Sequence, residues 1–159
     1  MKILLTAFKN TSSEKLINCF DECYAKLVLE NDKRKSEQQL KDVLEGCDHY
    51  DVVLSFGQRP VMKNRLAIET CAKDGQRLMC TKLDCNELMH GFEECGIEAK
   101  LSNNAGTSFC NNIYRFGLDY LENTKTQMVF VHIPFEKNIS DFDLLAERIQ
   151  KAVSKIFYS

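Results

Sequence analysis

The sequence has little that would break it into segments: its 159 residues include two prolines, seven glycines and no tryptophan. No repeat or low-complexity stretch is visible, and no segment has the composition of a flexible linker. The length suits one domain, because domains run to about 100–200 residues. We therefore predict a single domain over residues 1–159.

The chain also lacks long hydrophobic runs and an excess of charge of one sign. No apolar run approaches the ~20 residues of a membrane span. The apolar start at residues 2–6 is too short for the hydrophobic region of a signal peptide. Lys and Arg number 21 against 23 for Asp and Glu, a net charge of −2, and the basic residues do not cluster. These absences predict a cytoplasmic protein that binds neither membrane nor nucleic acid.

Cysteine is abundant, with eight residues, but its spacing does not indicate a metal site. Cys19 and Cys23 lie four residues apart and Cys80 and Cys85 five apart, with no pair separated by two residues. Without a secretory signal, free thiols are the default, and most of them are expected to pack as small core residues. We therefore predict no metal and no cofactor.

Hydrophobic patterning alternates between strands and helices along the chain. Strands are predicted at residues 2–7, 51–56, 65–70, 98–102 and 127–133. Residues 26–30 fit either a strand or a continuation of the first helix, and we favour the strand. Helices are predicted to begin near Thr11, Ser36, Asp84, Cys110 and Ser140, the first carrying the apolar residues Leu16, Ile17, Phe20 and Tyr24. This order predicts a central sheet with helices on both faces.

Three polar or glycine-containing segments lie at the carboxyl ends of predicted strands. They are Gly57-Gln58, the loop and helix start at residues 104–111, and residues 132–134. In open α/β sheets, ligands bind outside the carboxyl ends of the strands. The sequence therefore predicts a site where these segments meet.

Cys110 and His132 are the chemically capable residues in these segments. At a helix N-terminus, partial positive charge is expected to lower the pKa of the Cys110 thiol. The small residues 105–108 would present backbone amides as oxyanion donors. His132 would take the thiol proton and return it to a leaving amine. The alternatives are a buried packing cysteine and a histidine hydrogen-bonded to backbone.

Two motifs in these segments resemble the signature of the pyroglutamyl peptidases, also called pyrrolidone-carboxylate peptidases. They are Asn-Ala-Gly-Thr-Ser-Phe-Cys-Asn at residues 104–111 and Val-His-Ile-Pro at 131–134. The opening Lys-Ile-Leu-Leu-Thr-Ala-Phe at residues 2–8 and Ser-Phe-Gly-Gln at 55–58 are similar to the family's first strand and its Val-Gly-Gln segment. The pieces match in order over nearly the whole chain.

The resemblance implies a three-layer α/β/α sandwich around a central mixed, mostly parallel sheet. It also implies a cysteine peptidase that removes N-terminal pyroglutamate, with Cys110 as nucleophile and His132 as base. Phe8 and Gln58 match family positions that contact the pyroglutamyl ring, and Phe109 matches an apolar pocket position.

The acid of the triad departs from the family pattern. The family motif Glu-Arg-Val-Ala-Ile-Asn aligns with residues 64–69, which puts Asn64 at the acid position and Glu69 at the other end of the strand. Asn64 would orient the imidazole without neutralising it. Glu69 would replace the acid, but strict strand alternation would put the two side chains on opposite faces, so the exchange needs a bulge or a shifted strand.

Three functions are compatible with these observations. The favoured one is a hydrolase that acts on a peptide or small amide through an acyl-thioester on Cys110, as a monomer or homodimer. A second is a non-catalytic module that binds a small molecule or peptide and has lost turnover. The third is a redox sensor, which would need a reactive Cys110 near a resolving cysteine.

Overall fold

A computed structural model describes residues 1–60 and 62–158 of the chain. The strands are β1 (Ile3–Phe8), β2 (Ala25–Leu29), β3 (Val52–Arg59), β4 (Arg65–Glu69), β5 (Cys71–Asp74), β6 (Arg77–Cys80), β7 (Glu98–Ser102) and β8 (Gln127–Pro134). The α-helices are α1 (Ser12–Asn18), α2 (Lys33–Leu44), α3 (Cys85–Glu94), α4 (Phe109–Leu121) and α5 (Phe142–Tyr158), and a 3-10 turn spans Glu136–Asn138.

The central sheet has six strands in the order β2-β1-β3-β8-β4-β7. Neighbouring strands pair in parallel, except β4 and β8, which pair antiparallel. The sheet is therefore mixed and mostly parallel, as predicted, and residues 25–29 form a strand as favoured.

Alternating side chains along the strands supply two apolar clusters, one on each face of the sheet. On one face, strand residues such as Leu5, Leu54 and Val131 pack with α1, α3 and α5. On the other, residues such as Val53 and Phe130 pack with α2 and α4. Period-two burial on both faces explains the three-layer arrangement.

The first helix is shorter than its apolar spacing predicts. Thr11 caps α1, its Oγ1 accepting from the Glu14 N–H at 3.2 Å. The helix closes through N–H bonds from Cys19 and Phe20 to carbonyls three residues back. The prediction that Phe20 and Tyr24 lie on this helix is wrong, because the chain must turn here for β2 to pair with β1.

A two-stranded hairpin formed by β5 and β6 follows β4, and the sequence patterning did not predict it. Its strands have four residues each and carry charged side chains, so period-two hydrophobic alternation is weak. Cys71 and Cys80 face each other across the hairpin and form a disulfide. The expectation of free thiols is therefore wrong for this pair and holds for the other six cysteines.

Two kinds of structure are absent from the described residues. Across residues 1–60 and 62–158, no helix has the length and hydrophobicity needed to cross a membrane. The same residues contain no group of three or more His, Cys, Asp or Glu side chains placed to hold a metal ion.

Candidate active site

The Cys110 side chain lies in the first turn of α4, against the end of β3. A Cβ on Gly57 would lie 2.7 Å from Cys110 Sγ and 2.6 Å from Phe130 Cζ. Only glycine therefore leaves room for the sulfur against this strand. Ser108, the residue before the helix, makes no side-chain capping bond. The first N–H groups of α4 therefore receive no side-chain acceptor from Ser108.

His132 lies on β8 directly beside Gly57, because the two residues are partners in the parallel β3–β8 pair. Its side chain is buried, and its Nδ1 lies 2.8 Å from Oε1 of Glu69. A carboxylate accepts hydrogen bonds, so Nδ1 carries the proton in the neutral imidazole and Nε2 is the basic nitrogen. Among the described residues no protein group occupies Nε2, which leaves it for the pocket that His132 and Cys110 both line.

Glu69 reaches the histidine because β4 runs antiparallel to β8. Ala67 is the register partner of His132, and Glu69 is the partner of Phe130. Residues 67 and 69 face the same side of the sheet, so the Glu69 carboxylate lies diagonally from the imidazole. The side chain is fully buried, and within the described part of the chain its Oε2 has no hydrogen-bond partner.

Asn64 does not contact the imidazole, so its predicted role as an orienting residue is wrong. It lies outside β4, is exposed, and has a φ of 50°. Its side chain makes two hydrogen bonds to Ser140, donating to Oγ and accepting from the N–H, both at 2.8 Å. Asn64, with its left-handed backbone, lies just before the first residue of β4. The alternation of side chains along the strand therefore does not include Asn64, and no bulge is needed to bring Glu69 to His132.

Arg59 is a site residue that the sequence reasoning missed. Its Nη1 lies 3.2 Å from Oε1 of Glu69, and its Nη2 donates to the Asn104 carbonyl oxygen. It therefore connects the acid to the loop that precedes Cys110. The available signal was strand alternation, since Arg59 is two residues beyond Gly57 and faces the same side.

The thiol of Cys110 is not acidic in this structure, contrary to the expectation from its helix position. Burial raises its pKa to about 12, the positive charge of Arg59 lowers the pKa in part, and the negative charge of Glu69 raises it. Removal of the thiolate from water outweighs the partial charge of the helix N-terminus. Cys110 is therefore a neutral thiol at pH 7 and needs a base to become a nucleophile.

A pocket of about 190 Å³ opens beside these residues. Its walls include Gln58, Arg59, the loop residues 105–108, Cys110 and His132. The Gln58 Oε1 accepts from the Ser12 N–H at 2.9 Å, and no described residue holds its Nε2. Larger cavities exist elsewhere on the surface, but this one contains both the thiol and the imidazole.

The two aromatic residues predicted to line the pocket contact each other. Phe8 is buried, and its ring centroid lies 5.8 Å from that of Phe109. Phe109 is the first residue of α4, so this contact packs the helix start against the end of β1. The structure thus brings together the thiol, the imidazole, one carboxylate and one guanidinium, whereas neither aromatic ring lines the pocket beside them. Such a set has the components for proton transfer from a thiol and for attack on an amide.

Comparison with known proteins gives one family. The model of the pyroglutamyl peptidase family (peptidase C15) matches residues 63–153, more than half of the chain. Glu69, Cys110 and His132 lie inside the matched segment, whereas Phe8 and Gln58 precede it.

Two curated relatives match over most of their length. The pyrrolidone-carboxylate peptidase of Staphylococcus carnosus is 27% identical over 170 residues, covering 85% of this chain and 79% of the relative. That of Thermosipho melanesiensis is 25% identical over 174 residues, covering 87% and 85%.

Solved structures agree on the fold. The pyrrolidone carboxyl peptidase from Thermococcus litoralis superposes with a TM-score of 0.83 at 18% identity, over 98% of this chain and 92% of that one. Pyroglutamyl peptidase I from Bacillus amyloliquefaciens superposes with a TM-score of 0.81 at 18% identity, covering 95% and 94%. The predicted α/β/α fold with a mixed, mostly parallel sheet is confirmed.

Proposed function

Because the chain belongs to the pyroglutamyl peptidase family, we propose that it hydrolyses the amide bond after an N-terminal pyroglutamyl residue, with Cys110 as nucleophile. The observation that carries this proposal is the buried Glu69–His132 hydrogen bond of 2.8 Å beside the thiol. Glu69 holds the proton on Nδ1, so the Nε2 lone pair is available to accept the Cys110 proton.

The reaction begins when Nε2 of His132 takes the thiol proton as Cys110 Sγ attacks the pyroglutamyl carbonyl carbon. The imidazolium that forms is stabilised by the Glu69 carboxylate. The carbonyl oxygen gains negative charge, and the N–H groups at the start of α4 would donate hydrogen bonds to it. Nε2 then gives the proton to the leaving amine, and the carbon–nitrogen bond breaks to leave an acyl-thioester.

Hydrolysis of the thioester repeats these steps with water as nucleophile. Nε2 takes a proton from water, the oxygen attacks the acyl carbon, and the sulfur leaves and regains its proton from the imidazolium. The products are free pyroglutamate and the Cys110 thiol. A Cys110 thiol with a pKa of about 12 in the free protein fits this order of steps, because the proton is transferred during the attack rather than before it.

The pocket supports recognition of a neutral lactam. The pyroglutamyl ring has no free α-amine, so its recognition calls for shape and an amide partner rather than a carboxylate. The Gln58 Nε2 would donate to the ring carbonyl, while the Phe8–Phe109 pair supplies an apolar surface at the helix start. We assign these substrate contacts to this chain as part of the same proposal.

The test is release of a fluorophore from a pyroglutamyl amide by the wild-type protein and by Cys110→Ala. The corresponding prolyl amide, which has a ring of similar size but a basic amine and no lactam carbonyl, is the specificity control. We expect turnover of the pyroglutamyl amide only, and only with Cys110 present. Cysteine-independent turnover, or equal rates on both amides, would contradict the proposal. A protein that binds the pyroglutamyl amide without cleaving it would instead be the non-catalytic module.

The cellular setting and assembly belong to the same proposal. We propose a cytoplasmic enzyme that acts on peptides as a monomer or homodimer. Light scattering coupled to gel filtration measures the assembly directly, and a mass above that of two chains would contradict it.

A further inference from the structure

A pair of hydrogen bonds ties the first turn of α4 to strand β5. The Asn111 Oδ1 accepts from the Lys73 N–H at 2.8 Å, and its Nδ2 donates to the Lys73 carbonyl oxygen at 3.0 Å. A side-chain amide thus pairs with a main-chain peptide group in the way that a neighbouring strand would. Because Asn111 follows Cys110 directly, the pair restrains the turn that carries the nucleophile.

The geometry of the hairpin leaves the peptide groups of Lys73 available for this contact. Asp74 and Arg77 are partners on either side of a two-residue loop, and Lys73 pairs with Leu78. In an antiparallel ladder, hydrogen-bonded and non-bonded pairs alternate. The pair that closes the loop is hydrogen-bonded, so the N–H and C=O of Lys73 turn away from β6 and towards α4.

The same hairpin is attached to the strand that carries the acid. Cys71 is two residues beyond Glu69 and is bonded covalently to Cys80. The Tyr114 hydroxyl, one helical turn after Cys110, donates to the Glu69 carbonyl oxygen at 2.7 Å. Helix α4 is therefore held at two points: Tyr114 bonds to the strand that carries Glu69, and Asn111 bonds to the hairpin that follows this strand.

We propose that Asn111 is a positioning residue that sets the Cys110 sulfur relative to His132 by docking on the Lys73 peptide. The kinetic part of this inference rests on the proposed function. Ser108 supplies no side-chain cap, so the Asn111 amide is the polar side-chain contact of this first turn with the neighbouring strand. Without it, the turn shifts by a fraction of an ångström to an ångström, and misplacement by about 1 Å can cost about 100-fold in rate.

The test compares Asn111→Ala with Asn112→Ala, its neighbour on the same turn. Asn112 is the matched control because its amide reaches only the exposed Lys33 carbonyl, at 3.5 Å. We expect Asn111→Ala to lower kcat by about 10- to 100-fold with a change in KM below about threefold, and Asn112→Ala to leave both unchanged. A wild-type kcat in Asn111→Ala overturns the proposal, as does an equal loss in both variants.

A second variant removes the same contact from the other side. Lys73→Pro removes the main-chain N–H that donates to Asn111 Oδ1, and this N–H makes no hydrogen bond to β6. We expect it to reproduce the kcat loss, and the double variant to be no worse than either single one, because both remove one interaction. Additive losses would overturn the assignment. This variant also decides the matter if Asn111→Ala does not fold.

A readout independent of peptidase activity separates this proposal from the proposed function. The alkylation rate of Cys110 by iodoacetamide at pH 10, followed by mass spectrometry, reports the burial of the sulfur. The buried Cys85 in the same molecule is the internal reference. We expect Asn111→Ala to speed Cys110 alkylation several-fold and to leave Cys85 unchanged. If Cys110 alkylation speeds up in Asn111→Ala but the wild-type protein has no peptidase activity, the positioning role of Asn111 stands and the proposed function is refuted. If the Cys110 alkylation rate is unchanged in Asn111→Ala, the positioning role is overturned.

Discussion

Glu69 Oε1 and His132 Nδ1 lie 2.8 Å apart, although the two residues are not register partners in the sheet. The carboxylate reaches the imidazole along the diagonal of an antiparallel strand pair. Arg59 contacts the same oxygen at 3.2 Å, so that oxygen lies between the imidazole and a positive charge. The carboxylate beside the imidazole therefore comes from the end of β4 rather than from its beginning.

Replacing Glu69 by Gln is expected to lower kcat/KM by about 100- to 10,000-fold, because an amide can hold the ring but cannot stabilise the imidazolium. Steady-state kinetics on the pyroglutamyl amide measure the loss. Asn64→Ala is the matched control and should retain wild-type activity, since among the described residues the Asn64 side chain bonds only to Ser140. The reverse ranking would return the acid position to Asn64.

Alkylation of the free protein should modify Cys110 late. Its pKa of about 12 leaves it protonated at pH 8, whereas Cys19, Cys23 and Cys47 are exposed. We expect iodoacetamide to label the exposed three first, and the Cys110 rate to rise with pH beyond pH 10, because the thiolate is the reactive form. Site-resolved mass spectrometry over a pH series measures this order. Labelling of Cys110 first at pH 8 would contradict the raised pKa.

Removing the guanidinium beside this thiol should slow its alkylation further. The positive charge of Arg59 lowers the pKa of Cys110, so Arg59→Ala raises that pKa and reduces the thiolate fraction at any pH below it. Arg115→Ala is the control, because Arg115 also lies on α4 but pairs with Glu37 of α2. A faster Cys110 reaction in Arg59→Ala, with Arg115→Ala unchanged, would show that opening of the pocket outweighs the charge.

The Cys71–Cys80 disulfide is expected to stabilise the fold by about 2–3 kcal/mol, the loop-closure value for its nine-residue separation. Denaturant unfolding with and without a dithiol reductant measures the difference. The double variant Cys71→Ser, Cys80→Ser should unfold at the lower denaturant concentration in both conditions, and the reductant should no longer matter. An equal response of wild type and double variant to the reductant would contradict the assignment.

Gly57→Ala should displace the nucleophile, because the added Cβ would meet Cys110 Sγ at 2.7 Å and the Phe130 ring at 2.6 Å. We expect a stability loss of about 1–3 kcal/mol and a large loss of kcat. Gly91→Ala is the control, since its Cβ would clash with Ile156 on the opposite face of the sheet. It should lose stability and keep activity below its unfolding temperature. Equal activity in the two variants would show that Gly57 is not needed to position Cys110.

Much of the fold follows from local sequence patterns. Every central strand was predicted to within one residue at each end, except β3, which continues to Arg59, three residues beyond its predicted end. Short runs rich in apolar residues between polar segments are strong signals for most of these strands. The hairpin was missed because its strands are short and carry charges where alternation would place apolar residues. The first helix was overextended because Phe20 and Tyr24 keep helical spacing while packing from a loop, with their rings 5.1 Å apart.

The sequence by itself determined the residue types of the site and their approximate place. His132 closes a strand whose carboxyl end lies at the site, as strand direction predicts. Cys110 instead follows β7, which is parallel to β4 and therefore antiparallel to β8, so its motif reaches the same edge only through the loop at residues 103–108. Only the tertiary structure decided the rest. The antiparallel pairing of β4 selected Glu69 over Asn64, and the approach of α4 to β3 buried the thiol and raised its pKa. Strand register and the burial of a charge depend on contacts between residues far apart in sequence, which no local pattern encodes.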